Sequence, residues 1–289
     1  MSRILVVGNI TLDIIHGVDH YPQEDEELRA ITQTIRRGGN AANTAAVLAQ
    51  HGHQVSFAGT LADDAHGHGL AAELTRASVD TRYCRVIPDT VSPLSCITHN
   101  QQTGSRTIVH YRDLPEYAAA AFAAIPLPEY DWFHFEGRNL AQTLQMLAQL
   151  QRIRIDQPIS IEIEKAHPGI EQLFSHADVL LFARAFATAR GCDNAEQLFR
   201  LARAQAKQTI LVCSWGDHGA FACLPDGATF HQAAQEVSLI CDSVGAGDTF
   251  NAGLIHSLLS GQRLQDALTY ANALAAKKLR QLGFDKLVG

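Results

Sequence analysis

The sequence predicts an α/β protein with a mostly parallel central sheet and a second, smaller β-sheet. Three observations carry this. Short apolar runs at residues 4–8, 131–135, 159–163, 178–182 and 210–213 recur along the chain, and helical stretches follow most of them. That is the rhythm of buried parallel strands crossing over through helices. Charged residues recur just after several of these runs, as a single ligand-binding edge of an open sheet requires. Residues 28–35 and 95–109 alternate in a polar, β-branched pattern that fits strands outside the main sheet.

Composition narrows the class. Of the 289 residues, 46% are hydrophobic and 18% charged, ordinary values for a soluble globular chain with a sizeable core. A formal net charge of −7 and a pI of about 6.0 argue against nucleic acid as the main partner. The six cysteines are scattered without a C-x-x-C pair, which reads as reduced thiols in the cytoplasm. The 14 histidines include no H-E-x-x-H, and the pairs His51/His53 and His66/His68 read as surface turns. The short apolar run after Met1-Ser2-Arg3 is too short for a signal peptide or a membrane span, so no membrane partner is expected.

Taken in order, the first apolar run ends in Gly8, and residues 9–13 follow at its carboxyl end. Asp13 there is either a site residue or a turn residue. Gly38-Gly39 leads into an Ala-rich helix over residues 41–50, with Asn40 as the expected N-cap. Asn40 and Asn43 share one face of that helix. Neutral amides at a glycine-lined helix start suit sugar hydroxyls, which need donors and acceptors together; the alternative is simply a capped helix. Residues 55–60 read as a strand and 67–77 as a helix. Residues 95–98 and 106–109 flank a turn and form a hairpin. With residues 28–35 this makes a small antiparallel sheet, able to act as a lid that excludes water. Arg106 stands at its edge, a surface cation or a contact for a polyphosphate. Later strand ends carry Glu136-Gly137-Arg138-Asn139, Glu164-Lys165 and Trp215-Gly216. Gly216 and Gly219 leave room for a flat base or a ribose. A hairpin at 220–231 and a final helix from Arg263 to about Arg280 complete the chain.

The most informative stretch runs from Asp242 to Ala252. Gly245-Ala246-Gly247-Asp248 opens a helix whose apolar face is Phe250, Leu254, Ile255, Leu258 and Leu259. Glycines let a ligand approach the free N–H groups of a helix start, where the dipole favours phosphate. Asp248 beside an anion site fits a base that deprotonates a hydroxyl attacking phosphorus. The bland alternative is a capping aspartate.

Gly38-Gly39-Asn40 with Asn43, and the D-x-x-G-A-G-D of residues 242–248, together resemble the two signatures of the ribokinase-like (PfkB) family of sugar kinases. Further strings look like the family's fructose-phosphorylating branch: Arg37-Gly38-Gly39-Asn40-Ala41, Glu136-Gly137-Arg138-Asn139, Glu162-Ile163-Glu164-Lys165 and Gly283-Phe284-Asp285. The resemblance spans nearly the whole chain. It implies a ribokinase-like three-layer α/β/α sandwich in one kinase domain, residues 1–289, with β-lid segments inserted at about 14–36 and 92–114. It implies ATP-dependent phosphorylation of a free sugar, D-fructose to fructose 1-phosphate, with ribose or another ketose, or a non-catalytic sugar- or nucleotide-binding regulator, as alternatives. Asp248 would be the general base, and Gly245, Ala246 and Gly247 the anion hole. Asp13, Gly39, Asn40 and Asn43 would hold the sugar, with Glu136 and Arg138 near it. Arg106 would meet ATP phosphates, while Trp215, Gly216 and Gly219 would shape the nucleotide pocket. ATP and magnesium are the implied cofactors, a monovalent cation is left open, and the magnesium ligands are unknown. The lid implies a homodimer. Two departures stand out. Ala183-Arg184-Ala185 replaces the N-x-x-E that many members place near magnesium. Leu279 stands where that branch has a cysteine near the adenine.

Overall fold

Walking from the amino terminus, the strands of a computed structural model are β1 (Arg3–Val7), β2 (Thr11–Val18), β3 (Thr32–Gly38), β4 (Gln54–Ala58), β5 (Thr60–Ala62), β6 (Val79–Asp80), β7 (Arg85–Ile87), β8 (Leu94–Asn100), β9 (Arg106–Tyr111), β10 (Trp132–Glu136), β11 (Ile159–Ile163), β12 (Val179–Ala183), β13 (Ile210–Ser214), β14 (Ala220–Cys223) and β15 (Thr229–Gln232). The helices are α1 (Asn40–Gln50), α2 (Ala65–Arg76), α3 (Ala119–Phe122), α4 (Leu140–Ile153), α5 (Arg184–Ala189), α6 (Ala195–Arg203), α7 (Ala246–Leu259) and α8 (Leu264–Leu279). The structure describes residues 1–153 and 157–288.

Nine strands form the central sheet in the order β15-β14-β13-β12-β11-β10-β1-β4-β6. Pairing is parallel except for β13–β14 and β14–β15, so the sequence rhythm of buried parallel strands holds. Alternate residues of one strand feed opposite faces. Leu5 and Val7 pack with Leu147 and Leu150 of α4, Phe186 of α5 and Leu198 of α6. Ile4 and Val6 pack with Leu48 of α1, Leu70 of α2, Leu254 of α7 and Leu268 of α8. Two helical layers thus cover one sheet, a three-layer α/β/α sandwich. The chain leaves β1 toward β4 on one side and returns at β10 on the other. This reversal opens a crevice at the carboxyl ends of β1 and β10, where open α/β sheets bind ligands.

The small sheet has four strands in the order β3-β2-β8-β9. The 95–109 hairpin is present as β8 and β9. Two expectations are corrected. Residues 9–13 do not simply end β1: Thr11 begins a full strand, β2, and β2 pairs with β8 in parallel, so the sheet is not wholly antiparallel. The segment expected over 28–35 forms its strand three or four residues later, because Arg36 and Arg37 stay in register with Asp13 and Leu12.

The turn expected at His51 and His53 is present at His51-Gly52, but the two histidine side chains do not lie on its surface. They are partly buried against His256 of α7, with His53 Nε2 and His256 Nδ1 2.9 Å apart and His51 Nε2 bonded to Tyr270 OH at 2.9 Å. Burial is the main force pushing His51 and His53 down to about 4, well below the ordinary histidine value. The unfolded chain therefore binds more protons than the folded one between about pH 6.5 and 4, so stability falls as pH drops through that window. Thermal melts from pH 7.5 to 4.5 should show this decline, and His53→Gln should flatten it. An equally steep decline in the variant would contradict this reading.

Candidate active site

Helices α1 and α7 pack side by side and begin at the same edge of the sheet. Gly39 caps α1 with φ +94°, and a Cβ there would stand 2.5 Å from the Asn9 carbonyl oxygen. Gly245 caps α7 with φ +83°, and its Cβ would stand 2.2 Å from the Phe284 ring. No side chain caps either helix; backbone carbonyls take the Ala42 N–H (Asn9, 3.3 Å) and the Ala246 N–H (Ser243, 3.5 Å), and both helix starts lie at the positive ends of their dipoles. Asn40 is therefore not the N-cap expected from the sequence. Gly39 takes that place because only its left-handed backbone fits against Asn9, and Asn40 becomes the first residue of the helix.

Asp248, in the first turn of α7, is not a cap either. Its Oδ2 accepts the Asn43 Nδ2 amide at 2.8 Å, and Asn43 Oδ1 accepts Arg37 Nη1 at 3.0 Å. A buried relay thus runs from a cation through an amide to the carboxylate. Burial dominates the Asp248 titration and lifts it to about 7; the Asn43 bond opposes this, Glu164 and Glu136 reinforce it, and Arg37 opposes it. Its affinity for a proton is far above that of an ordinary aspartate.

Around this centre sit the other expected sugar-side residues. Asp13 lies buried on β2, accepts the Thr11 hydroxyl at 3.1 Å and stands against Gly38, where a Cβ would meet its Oδ2 at 2.1 Å. Burial raises its pKa against the pull of Thr11, Ser95 and Arg36. Asn40 Nδ2 donates to Glu164 Oε2 at 2.8 Å and Glu162 Oε1 at 3.2 Å. Glu136 accepts the Asn9 N–H at 2.8 Å and Arg138 Nη1 at 2.9 Å, while Arg138 Nε bonds Glu116. Glu162 belongs to the Glu162-Ile163-Glu164-Lys165 string, but sequence reasoning assigns it no role. It accepts Asn251 at 3.1 Å, and its other oxygen is buried with no partner. Burial, then repulsion from Asp248, Glu136 and Glu164, raises its pKa strongly. The signal for it is an acid inside the apolar run of β11. This edge offers donors and acceptors together, the chemistry a polyhydroxylated ligand needs.

Arg106 opens β9 and donates from Nη1 to Ser243 Oγ at 3.2 Å, two residues before Gly245. A groove of about 280 Å3 runs between the small sheet and residues 239–244, lined among others by Arg36, Arg106, Asp242 and Ser243. Arg36 grips the Asp242 carboxylate at 2.5 and 3.0 Å. Trp215 follows β13 with only 7% of its surface exposed and belongs to the core, with Arg184 6.0 Å over its ring. Gly219 is required by the backbone rather than by ligand room: a Cβ there would stand 2.0 Å from the Gln232 carbonyl oxygen. Gly216 faces open space.

Among the described residues no group of three or more His, Cys, Asp or Glu side chains is arranged to hold a metal ion. Glu136, Glu162 and Glu164 take amide and guanidinium donors instead.

A parallel sheet that brings a glycine-rich helix start, a buried carboxylate and facing amides to one edge, under a separate β-sheet, is the layout of a small-molecule kinase. The chain belongs to the pfkB family of carbohydrate kinases, whose model matches residues 1–286. It is 37% identical to ketohexokinase of Mus musculus over 295 residues, covering 99% of each chain. It is 24% identical to ribokinase of Bacillus subtilis over 293 residues, covering 98% of this chain and 94% of that one. In fold it is similar to a solved structure described as a putative ribokinase from Agrobacterium tumefaciens, with a TM-score of 0.86 at 21% identity, covering 98% of this chain and 92% of that one. The protein is an ATP-dependent sugar kinase with a ribokinase-like fold.

Proposed function

We propose that this kinase transfers the γ-phosphoryl group of ATP to a primary hydroxyl of a free sugar, converting D-fructose to fructose 1-phosphate. The observation that carries the mechanism is the buried Asp248 carboxylate in the first turn of α7, beside the amides of Gly245, Ala246 and Gly247. Asp248 takes the hydroxyl proton as the sugar oxygen attacks the γ-phosphorus. The new O–P bond forms, the bond to the β-phosphate oxygen breaks, and ADP leaves. The three amides and Arg106 face the charge on the transferred group, so catalysis is mainly positioning and electrostatics. Asp13, Gly39, Asn40 and Asn43 hold the sugar hydroxyls, with Glu136 and Arg138 near the sugar or phosphate. Trp215, Gly216 and Gly219 border the nucleotide. The small sheet acts as the lid. Fructose is favoured because the relative at 37% identity is a ketohexokinase.

The test is ADP release with Mg-ATP across a panel of free sugars, fructose first, with the phosphate position read by NMR. Turnover on fructose at O1 supports the reading. ATP binding without turnover on any sugar, nucleoside or phosphosugar would defeat it.

The lid also supports a homodimer. Ile35, Ile14, Cys96 and Val109 lie in one cross-strand row over all four lid strands. Ile35, Val109 and nearby Tyr111 are more than half exposed, an apolar face on a sheet with free edges. Val109→Asp should convert a dimer to a monomer in sedimentation, and a monomeric wild type would contradict the proposal. All six cysteines are free, and among the described residues no helix is long and apolar enough to cross a membrane. The free thiols fit a cytoplasmic location.

A further inference from the structure

Lys278 is fully buried, at 0% exposure, an unusual place for an ammonium group. It lies on the apolar stripe of α8, in line with Ala267, Ala271 and Leu274. Packing alone would put an aliphatic residue there. Its Nζ instead donates to two oxygens of one residue, Asp242 Oδ2 at 2.7 Å and the Asp242 carbonyl at 3.2 Å. Asp242 Oδ1 in turn accepts the Val244 N–H at 3.0 Å, one residue before the Gly245 cap. The Phe284 ring centroid lies 5.2 Å from Nζ, and this is the same ring against which the Gly245 turn closes. Arg36 reaches the same carboxylate from the lid strand β3.

We propose that Lys278 is a positioning residue for phosphoryl transfer: its ammonium clamps the side chain and main chain of Asp242, and so fixes the turn from which residues 245–247 present their amides. The proposal rests on the reading that those amides hold the transferred phosphoryl group. A buried ion pair kept for stability alone could be replaced by apolar groups at little cost. An ammonium kept to aim a turn cannot be replaced that way. The Asp242 carboxylate stays ionised and able to take part in this clamp. Burial would raise its pKa, but Arg36 and Lys278 overcome burial and hold it at about 2.

The test compares Lys278→Met, close in volume, and Lys278→Ala with the wild type, in sugar and Mg-ATP kinetics and in thermal melts. Lys278→Met should lose about tenfold or more in kcat while its sugar KM stays within about twofold. Lys278→Ala should recover part of its kcat in millimolar methylammonium, which fits the vacated space, and none in tetramethylammonium. It supplies the readout should the methionine variant fail to fold. A Lys278→Met kcat equal to the wild type would overturn the proposal. So would a Lys278→Ala loss that tracks its melting temperature and ignores methylammonium. Gly245→Ala in the same assay separates the two readings. If it keeps its kcat, the reading that the amides hold the transferred phosphoryl group has failed and the Lys278 proposal falls with it; if it loses kcat while Lys278→Met does not, the Lys278 proposal alone is overturned.

Discussion

Asp248→Asn should lower kcat by about 10²–10⁴-fold, the usual contribution of a positioned base. Its fold should survive. The carboxylate is buried with a folded pKa of about 7, against an ordinary 3.8, so the folded state favours the protonated form. Stability from that proton is fully present below about pH 4 and is lost as pH rises through about 7. At pH 8 the wild type therefore carries an unfavourable buried charge that asparagine removes, and the variant should melt no lower there. The amide also keeps a partner in Asn43. Near-normal turnover in a well-folded variant would remove Asp248 from the mechanism. A melting temperature well below the wild type at pH 8 would contradict the burial argument.

Gly245→Ala should be the most damaging change among the anion-hole residues. Its backbone needs φ +83°, which costs an L-residue about 1–2 kcal/mol. The new methyl would also stand 2.2 Å from the Phe284 ring, and overpacking of this kind costs about 1–3 kcal/mol. The helix start must shift, carrying its amides with it. A loss of about 10²-fold in kcat is expected, the scale of one misplaced oxyanion donor. The sugar KM should change little, because Asn40 and Asn43 stand on α1. Adding Phe284→Leu should recover part of the loss by relieving the contact. Unchanged kcat in Gly245→Ala would show that these amides do not hold the transferred group.

The local features of this site are legible because they are written in neighbouring residues. Glycines before an apolar helical stripe mark α7, and the double glycine before an alanine run marks α1. The parallel strands announce themselves as short apolar runs. What stays hidden is long-range. Asn43 meets Asp248 and Arg36 meets Asp242 across more than two hundred residues. Charge and spacing do not say which acid a given arginine will find. Lys278 gives a faint signal, a lysine on the apolar stripe of α8, but its partner lies on another element. Asn40 looks like a cap in the sequence, yet Gly39, free to take a left-handed backbone, displaces it. Strand β2 escapes a reading by pattern because residues 11–18 alternate too weakly to be told from a loop after β1.

The central claim is that Asp248 acts as a base whose proton affinity burial has raised. The measurement that meets it most directly is the pH dependence of kcat/KM for the sugar between pH 5 and 9, in the wild type and in Asp248→Asn. The wild type should gain activity with a slope of one up to a midpoint at about 7, then level off. The residual activity of the variant should lack that limb. A wild-type profile flat from pH 5 to 9, or a limb that survives in Asp248→Asn, would contradict the account.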